Sequence, residues 1–388
     1  MPTYAALVLV VPRYGTASLA DVMPALLAAL RVPGEDDRIG LDLAGVRRIC
    51  LLLVDGLGAQ ALAKHPDTAP FLSALAGPTL TAGFPSTTAA SLSSLGTGRP
   101  PGEHGIVGYL LAVPGHDRVM NVLQWRLHGP GPAVDLLSDV VPEHFQPAPT
   151  AFERAEADGV RVSRIGPAFQ ERSGLTRAAL RGGQFRASHS AGDLAAEAAA
   201  MLRHDGRVLT YAYHGDLDLT GHLRGPATDA WTLDLANVDR LAAAIAERLP
   251  SDAALVVTAD HGMVEVTERI DVDAAPDLLA GVRLVGGEPR ARHVYARAGA
   301  AADVLAVWQA SLGDGFAVVP REEAIASGWF GPTVSATAHQ LIGDVVAAAR
   351  GSGGLVRRGA EPLQSSLIGH HGSLTAGEMM VPLLVGRP

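Results

Sequence analysis

The stretch ICLLLVDGLG, residues 49–58, decides the fold. The apolar run Ile49–Val54 has no polar break and ends on Asp55, with Gly56 directly after it. Strands with one wet face alternate in polarity. A continuous run marks a strand covered on both faces, as in a largely parallel sheet between helices. The pattern recurs: Val208–Tyr213 leads to Asp216 and Asp218, Ala254–Thr258 leads to Asp260, and Met379–Val385 is a late strand. Helical periodicity fills the gaps. Leu19–Leu30 carries Leu19, Val22, Met23, Leu26, Leu27 and Leu30 on one face, and Asp229–Leu249 carries Trp231, Leu235, Val238, Leu241, Ile245 and Leu249, with Thr228 or Asp229 placed to cap it. Helix–strand alternation predicts an α/β fold. Ligands in such sheets gather beyond the carboxyl ends of strands, where Asp55, Asp218 and Asp260 all fall.

The alternation breaks between Asp260 and His371. Residues 266–366 read as a small α+β insertion into a core made of 1–265 and 367–388. Its expected strands are Val282–Val285, Val294–Tyr295 and Phe316–Val319, its expected helix Ala301–Leu312, and Gly351–Gly354 is expected as a flexible link back to the core. Pro130–Pro149 reads as irregular surface chain. The opening MPTYAALVLVVPRYG has no basic segment before its apolar run and reads as a strand, not a signal peptide. No stretch reaches the roughly 18 apolar residues of a membrane span, so the expectation is a cytoplasmic protein with no membrane partner. The net charge of −9 argues against a nucleic-acid polymer held on a basic surface; a small anionic substrate is compatible if metal ions supply local positive charge. Cys50 is the only cysteine, which excludes an internal disulfide and reads as a small buried hydrophobe.

Five segments carry chemistry. Asp55 projects at a sheet edge. In GFPSTTAASLSSLGTG (83–98) a turn precedes the Thr87–Thr88 pair and a small-residue helix, whose N-terminus would favour a phosphate. In YHGDLDLTGHLRGP (213–226), Asp218 and His222 are four apart and can grip one metal; Asp216 and His214 compete, with no histidine four residues beyond either. In VVTADHGMV (257–265), a glycine-ended turn lets adjacent Asp260 and His261 face one cation. In GHHGSL (369–374), His371 or His370 can complete a site. His104, in a Pro/Gly turn, reads as structural. Arg290, Arg292 and His293 offer contacts to a second phosphate, and Trp329 and Phe330 a stacking surface for a base. The plainer reading of each of these five, solvated surface or core, is preferred.

Asp, Thr, Asp-x-x-x-His, Asp-His-Gly and His-Gly occur in this order. In that combination the chain resembles the alkaline phosphatase superfamily, specifically its type I phosphodiesterase / nucleotide pyrophosphatase branch, over residues 45–125, 205–265 and 365–388. TGRPPGEHGIVGY (97–109) is similar to that branch's segment after the nucleophile helix. The resemblance implies an alkaline-phosphatase-like α/β/α sandwich and two divalent metal ions, Mn²⁺ or Zn²⁺. It implies Thr88 rather than Thr87 as the nucleophile, nine residues before Thr97. It places one metal on Asp55, Thr88, Asp260 and His261 and the other on Asp218, His222 and His371. The nucleotide pyrophosphatases carry an asparagine three residues after the nucleophile; here Ser91 stands there, as a substitute donor to a phosphate oxygen. The implied reaction is hydrolysis of a nucleotide phosphodiester through a phospho-threonine. Size, N-terminal extension and motif layout further resemble the actinobacterial cyclic di-AMP phosphodiesterases, which implies conversion of cyclic di-AMP through pApA to AMP. The alternatives are a general nucleotide pyrophosphatase/phosphodiesterase and, behind it, a phosphomonoesterase or a non-catalytic nucleotide sensor. The partner expected is a small nucleotide; no oligomeric state is implied.

Overall fold

In the computed structural model, which describes residues 8–388, the opening stretch forms β1 (Arg48–Val54), buried from Ile49 onward. The same sheet takes in β2 (Thr79–Thr81), β3 (Arg161–Gly166), β4 (Gln184–Ala187), β5 (Val208–His214) and β6 (Ala253–Thr258). Four further strands, all within residues 266–366, form a second sheet: β7 (Val282–Glu288), β8 (Ala291–Ala296), β9 (Phe316–Pro320) and β10 (Val345–Ala349). The chain returns through β11 (Met380–Gly386). The main sheet runs β2-β11-β6-β1-β5-β3-β4. Strands β6, β1, β5, β3 and β4 pair in parallel, while β11 runs antiparallel to both its neighbours. This is a mixed α/β fold with a largely parallel central sheet. Leu53 of β1 lies opposite Tyr213 of β5 and Thr258 of β6. The register therefore levels the carboxyl ends of the three central strands, and the loops that leave them share one edge.

The helices follow their apolar faces. Leu19–Asp21 winds as a 3-10 turn into α1 (Val22–Ala29). The helix that begins at Thr88 is α2 (Thr88–Thr97), and α3 (Asp216–Arg224) follows β5. The long α4 (Asp229–Ala246) starts at Thr228, whose side chain accepts the Trp231 N–H, and it buries Trp231, Leu235, Val238, Leu241 and Ile245. Cys50 is buried in β1, and burial pushes its thiol up to about 12, so it is inert packing. Among the described residues no helix is long and apolar enough to cross a membrane.

In the insertion the order is β7-β8-β10-β9, all antiparallel, with α5 (Ala301–Leu312) packing Val304, Trp308 and Leu312 into a core of its own. Three expectations need correction. Val345–Ala349 is a strand that sequence reading passes over, because an Ala/Val run buried on both faces has no period of two. Gly351–Gly354 is more than a link: Gly353–Val356 pairs in parallel with Glu268–Asp271. Of the expected N-terminal strand, residues 1–7 lie outside the described residues, and 8–13 form no strand, although the Val10 N–H donates to the Leu374 carbonyl. The Pro130–Pro149 segment is mostly irregular but holds a short helix, Pro142–Phe145, and buries Leu136 and Gln146.

Two buried ion pairs stitch the insertion together and to the core. Arg290 grips Glu378 with 3.0 and 2.7 Å contacts, and Arg292 grips Glu361 with 3.0 and 2.8 Å contacts. Glu378 also accepts the Ser373 N–H at 3.0 Å and the Thr375 hydroxyl. Arg290→Ala strands this carboxylate in the interior. The expected loss is about 3–5 kcal/mol of stability, read as a lower midpoint in denaturant, whereas an effect below about 1 kcal/mol would show that the pair is dispensable.

Candidate active site

Two trios of donors meet at the shared strand edge: the buried Asp55, Asp260 and His261, and beside them the partly buried Asp218, His222 and His371. Within each trio one ligand atom per residue lies within 4.8 Å of the others. The chain folds this way for local reasons. Gly56 follows Asp55 with φ +75°, and a β-carbon there would come 3.0 Å from Asp218 Cβ, so only glycine lets the two carboxylate loops close. Gly262 plays the same part after His261: a β-carbon would lie 2.1 Å from the Gly377 carbonyl. Asp218 and His222 are one turn apart on α3, 3.3 Å from carboxylate to Nε2. His371 arrives through a short antiparallel pairing of Val264–Glu265 with Gly369–His370.

Five of the six donors are oriented by a second partner. Asp55 Oδ2 accepts the Tyr213 hydroxyl at 2.5 Å, while its Oδ1 has no hydrogen-bond partner. Asp260 Oδ1 accepts the N–H groups of Gly56 and His261 at 3.1 and 3.0 Å, while its Oδ2 has none. Asp218 Oδ1 is likewise without a partner. The histidines follow one rule. His261 Nδ1 faces the Gly262 carbonyl at 3.0 Å, His222 Nδ1 that of Gly369 at 2.8 Å, and His371 Nδ1 that of Ser86 at 2.8 Å. A carbonyl only accepts, so each Nδ1 carries the proton and each Nε2 presents a lone pair.

Those lone pairs crowd one another. Nε2 of His371 and His222 are 3.3 Å apart, and His261 Nε2 lies 3.4 Å from Asp55 Oδ1 and 3.3 Å from Asp260 Oδ2. The rings of His261 and His371 stack at 3.5 Å and join the two trios. Burial pushes the Asp218 carboxyl up to about 7, and burial together with Asp218 does the same to Asp260. Burial and the Asp260 charge raise Asp55 well above the carboxylate range. Burial also pushes the His261 imidazole down to about 3 and His371 well below its usual value. Bare carboxylate oxygens facing bare imidazole nitrogens in the interior are costly unless a cation lies between them, and Asp/His sets of this kind suit Zn²⁺, Mn²⁺ or Fe. The donor sets therefore fit a divalent cation in each trio.

Thr88 opens α2, half-buried, with its Oγ1 3.1 Å from His261 Nε2. The Ser86 N–H donates to the Gly372 carbonyl at 3.1 Å and the Gly372 N–H to Ser86 Oγ at 3.2 Å, so the hydroxyl loop and the His371 loop are zipped together. The pocket there has a volume of about 430 Å³; Thr88, Asp55, Asp218, His222 and His371 line it together with Tyr109, Glu288 and Glu361.

Other sequence candidates land elsewhere. Ser91 is fully buried, its Oγ has no partner, and Leu92 rather than Ser91 faces the pocket. His214 and Asp216 border a separate cleft with Asp234. His370 lines the pocket, but its Nε2 is turned to the Leu367 carbonyl at 3.2 Å. His104 is structural: its Nδ1 accepts the Ile106 N–H and its Nε2 meets Ser94 Oγ. Arg290 and Arg292 are locked in their ion pairs, and His293 bonds the Val107 carbonyl and the Gly343 N–H. Trp329 and Phe330 pack edge-on against Phe84 in the core. Sequence reading misses Tyr213 and Glu288. Tyr213 hides inside an apolar strand, though a tyrosine three residues before an acidic turn is a usable signal.

Tyr213→Phe should weaken divalent-cation affinity about 10–100-fold, because Asp55 loses the bond that aims it. Titration of metal-free protein with Mn²⁺ checks this, and an unchanged affinity would remove Tyr213 from the site.

The type I phosphodiesterase / nucleotide pyrophosphatase family model matches residues 49–374. Among solved structures, murine ectonucleotide pyrophosphatase / phosphodiesterase 5 is similar, with a TM-score of 0.66, 17% identity and 88% of each chain covered. The same protein is known as an inactive threonine-to-alanine form in complex with AMP, with a TM-score of 0.65 and 17% identity. Phosphonoacetate hydrolase from Sinorhizobium meliloti 1021 gives a TM-score of 0.65 at 21% identity, covering 89% of this chain and 91% of that one. At these identities the likeness is one of fold. In sequence, the phosphopentomutase of Anaeromyxobacter dehalogenans (strain 2CP-C) is 33% identical over 159 residues, and that match spans only 38% of the mutase. With most of its length matched from β1 to the loop after His371, the chain belongs to the type I phosphodiesterase / nucleotide pyrophosphatase family, within the alkaline phosphatase superfamily.

Proposed function

We propose that this protein is a two-metal phosphodiesterase that hydrolyses a nucleotide phosphodiester through a phospho-threonine on Thr88. The observation that carries the reading is the pair of bare donor trios set against one hydroxyl, Thr88 Oγ1, at a helix N-terminus. One cation would be held by Asp55, Asp260 and His261 with Thr88, the other by Asp218, His222 and His371. When bound, two such cations, Mn²⁺ or Zn²⁺, lower the pKa of a coordinated hydroxyl and offset charge on the attacking and leaving oxygens.

The chain's own residues do the rest. Thr88 Oγ1 bonds to phosphorus as the bond to the leaving oxygen breaks; the Thr88 proton goes to solvent and the leaving oxygen takes one up. Water then attacks the phospho-threonine, releasing a phosphomonoester and restoring Thr88. The N-terminus of α2 supports the phosphate oxygens. No general-base histidine is needed: with Nδ1 held by a carbonyl, His222, His261 and His371 would each spend Nε2 on a cation, which would itself lower the hydroxyl pKa. The 266–366 insertion forms one wall of the pocket through Glu288, Pro289 and Glu361, as a cap on the core.

The substrate we favour is cyclic di-AMP, opened to pApA and cut on to AMP. A general nucleotide phosphodiester hydrolase is the second reading, consistent with the family. The test is chromatographic analysis after incubation of the purified protein with Mn²⁺ and cyclic di-AMP. Conversion to pApA and AMP is expected. It should vanish in excess EDTA and return when Mn²⁺ is restored. Turnover undiminished after prolonged chelation would count against the two-metal reading. No conversion, with other diesters cleaved, would move the assignment to the second reading.

A further inference from the structure

A second cleft opens at the other end of the central sheet, where the chain enters β1, β3 and β5. It has a volume of about 640 Å³, more than the pocket at Thr88. Arg31, Arg47 and Arg207 line it, and no acidic side chain does. In a chain of net charge −9, that is a local reversal of sign. Gly45, Gly159 and Gly206, all at positive φ, share the lining, so tight turns rather than bulky side chains bound the space. The length of β1 separates this cleft from the donor trios by roughly 20 Å, so it is no part of the site already described.

The three arginines are not equivalent. Arg207 has structural work: it donates to the Leu30 and Arg31 carbonyls at 3.0 and 3.2 Å and to Asp158 at 2.8 Å, and so closes the carboxyl end of α1. Arg47 is fixed by its backbone, whose N–H donates to the Asp252 carbonyl and whose carbonyl accepts the Val208 N–H, both at 2.9 Å. Its side chain, like that of Arg31, has no ion pair or hydrogen bond, whereas the neighbouring Arg48 is paired with Asp252. Arg31 is also held at a cost. It has φ +61° at the end of α1, where the Val32 N–H reaches back to the Leu27 carbonyl at 2.9 Å. That helix stop is normally filled by glycine, because a β-carbon is strained there. Among the described residues only Trp125 and Ala227 also hold positive φ without being glycine. A strained arginine with no partner in the fold is a signal of function rather than of packing.

We propose that this cleft is a second ligand site, which binds a small phosphate-bearing anion of at least two charges between the Arg31 and Arg47 guanidiniums. A guanidinium is a rigid fork of donors that matches phosphate oxygens and sheds its hydration easily. Two of them without acidic neighbours in the lining call for two negative charges. Ala29, Leu30 and Val46 complete the lining and leave an apolar side for an organic substituent. Because the cleft opens at the opposite edge of the sheet from Thr88, its ligand binds whether or not substrate is present.

Phenylglyoxal, which modifies accessible arginines, tests this on the full chain loaded with Mn²⁺ in physiological salt. Peptide mass analysis reads each arginine separately, so anion bound at the donor trios is not mistaken for anion bound here. Inorganic pyrophosphate at ten times its dissociation constant should slow modification of Arg31 and Arg47 about tenfold and leave Arg358, an exposed arginine outside the cleft, unprotected. Arg31→Gly removes the charge and suits the backbone. Protection of Arg47 should then need at least about tenfold more pyrophosphate, while the variant melts no lower than the parent. AMP is the second probe: stronger protection by AMP assigns the cleft to an organic phosphate, and stronger protection by pyrophosphate to a free inorganic anion. The proposal is overturned if neither anion protects, if Arg358 is protected equally, or if Arg31→Gly leaves the protection of Arg47 unchanged. A lower melting point for Arg31→Gly also overturns it, since Arg31 would then be a structural helix stop.

Discussion

Asp260→Asn should lower kcat/KM by at least about 10³-fold while leaving the fold intact. The geometry gives the reason. Asp260 Oδ1 accepts two backbone N–H groups, from Gly56 and His261. An asparagine must keep its carbonyl oxygen there, because both partners are donors. Its amide nitrogen is then forced to the side where Oδ2 lay, facing the His261 lone pair 3.3 Å away and the bare Asp55 oxygen. The site gains a donor where it needs an acceptor and loses a negative charge. Metal content by mass spectrometry should fall along with activity. In excess EDTA the variant should melt no lower than the parent, since burial and the neighbouring Asp218 already oppose the charged form of Asp260. Unchanged turnover would refute the assignment of Asp260; a lower melting point in EDTA would show that the residue is structural.

Thr88→Ala should reduce kcat by about 10⁴-fold or more, with both metals still bound. Five of the six Asp and His donors are held by hydrogen bonds that do not involve Thr88, and Asp218 lies one turn from His222 on α3, so loss of the hydroxyl leaves them in place. Thr88→Ser restores the hydroxyl and should recover much of the rate. Rapid acid quench followed by peptide mass analysis should find phosphate on Thr88 in the parent and none in Thr88→Ala. An alanine variant that turns over like the parent would point to direct attack by water and end the covalent scheme.

The central sheet was open to sequence reading because burial on both faces writes itself as unbroken apolar runs, each closing on an acid. Asp55, Asp218 and Asp260 could be placed at one edge for that reason alone. The rest depends on contacts between residues far apart in the chain, which leave no local signature. Arg290 and Arg292 sit in a charged cluster that looks solvated, but their partners lie 88 and 69 residues away. Glu288 reads as an ordinary hairpin acid until the wall around it is assembled. Val345–Ala349 has the composition of a helix and is a strand because neighbours on both sides supply its hydrogen bonds. Ser91, three residues beyond Thr88, is buried and Leu92 lines the pocket instead; spacing could not separate the two, because helix positions three and four residues on share the Thr88 face.

The Arg290–Glu378 pair has a consequence for anyone who would engineer this chain. Glu378 holds the Ser373 N–H, two residues beyond His371, while its own charge is held by an arginine from the inserted segment. The four-stranded sheet and the His371 loop thus share one rivet. Excising 266–366 to obtain a minimal hydrolase would take out the rivet and loosen His371 with it. Nor can the insert swing as a door over the substrate without pulling on that loop.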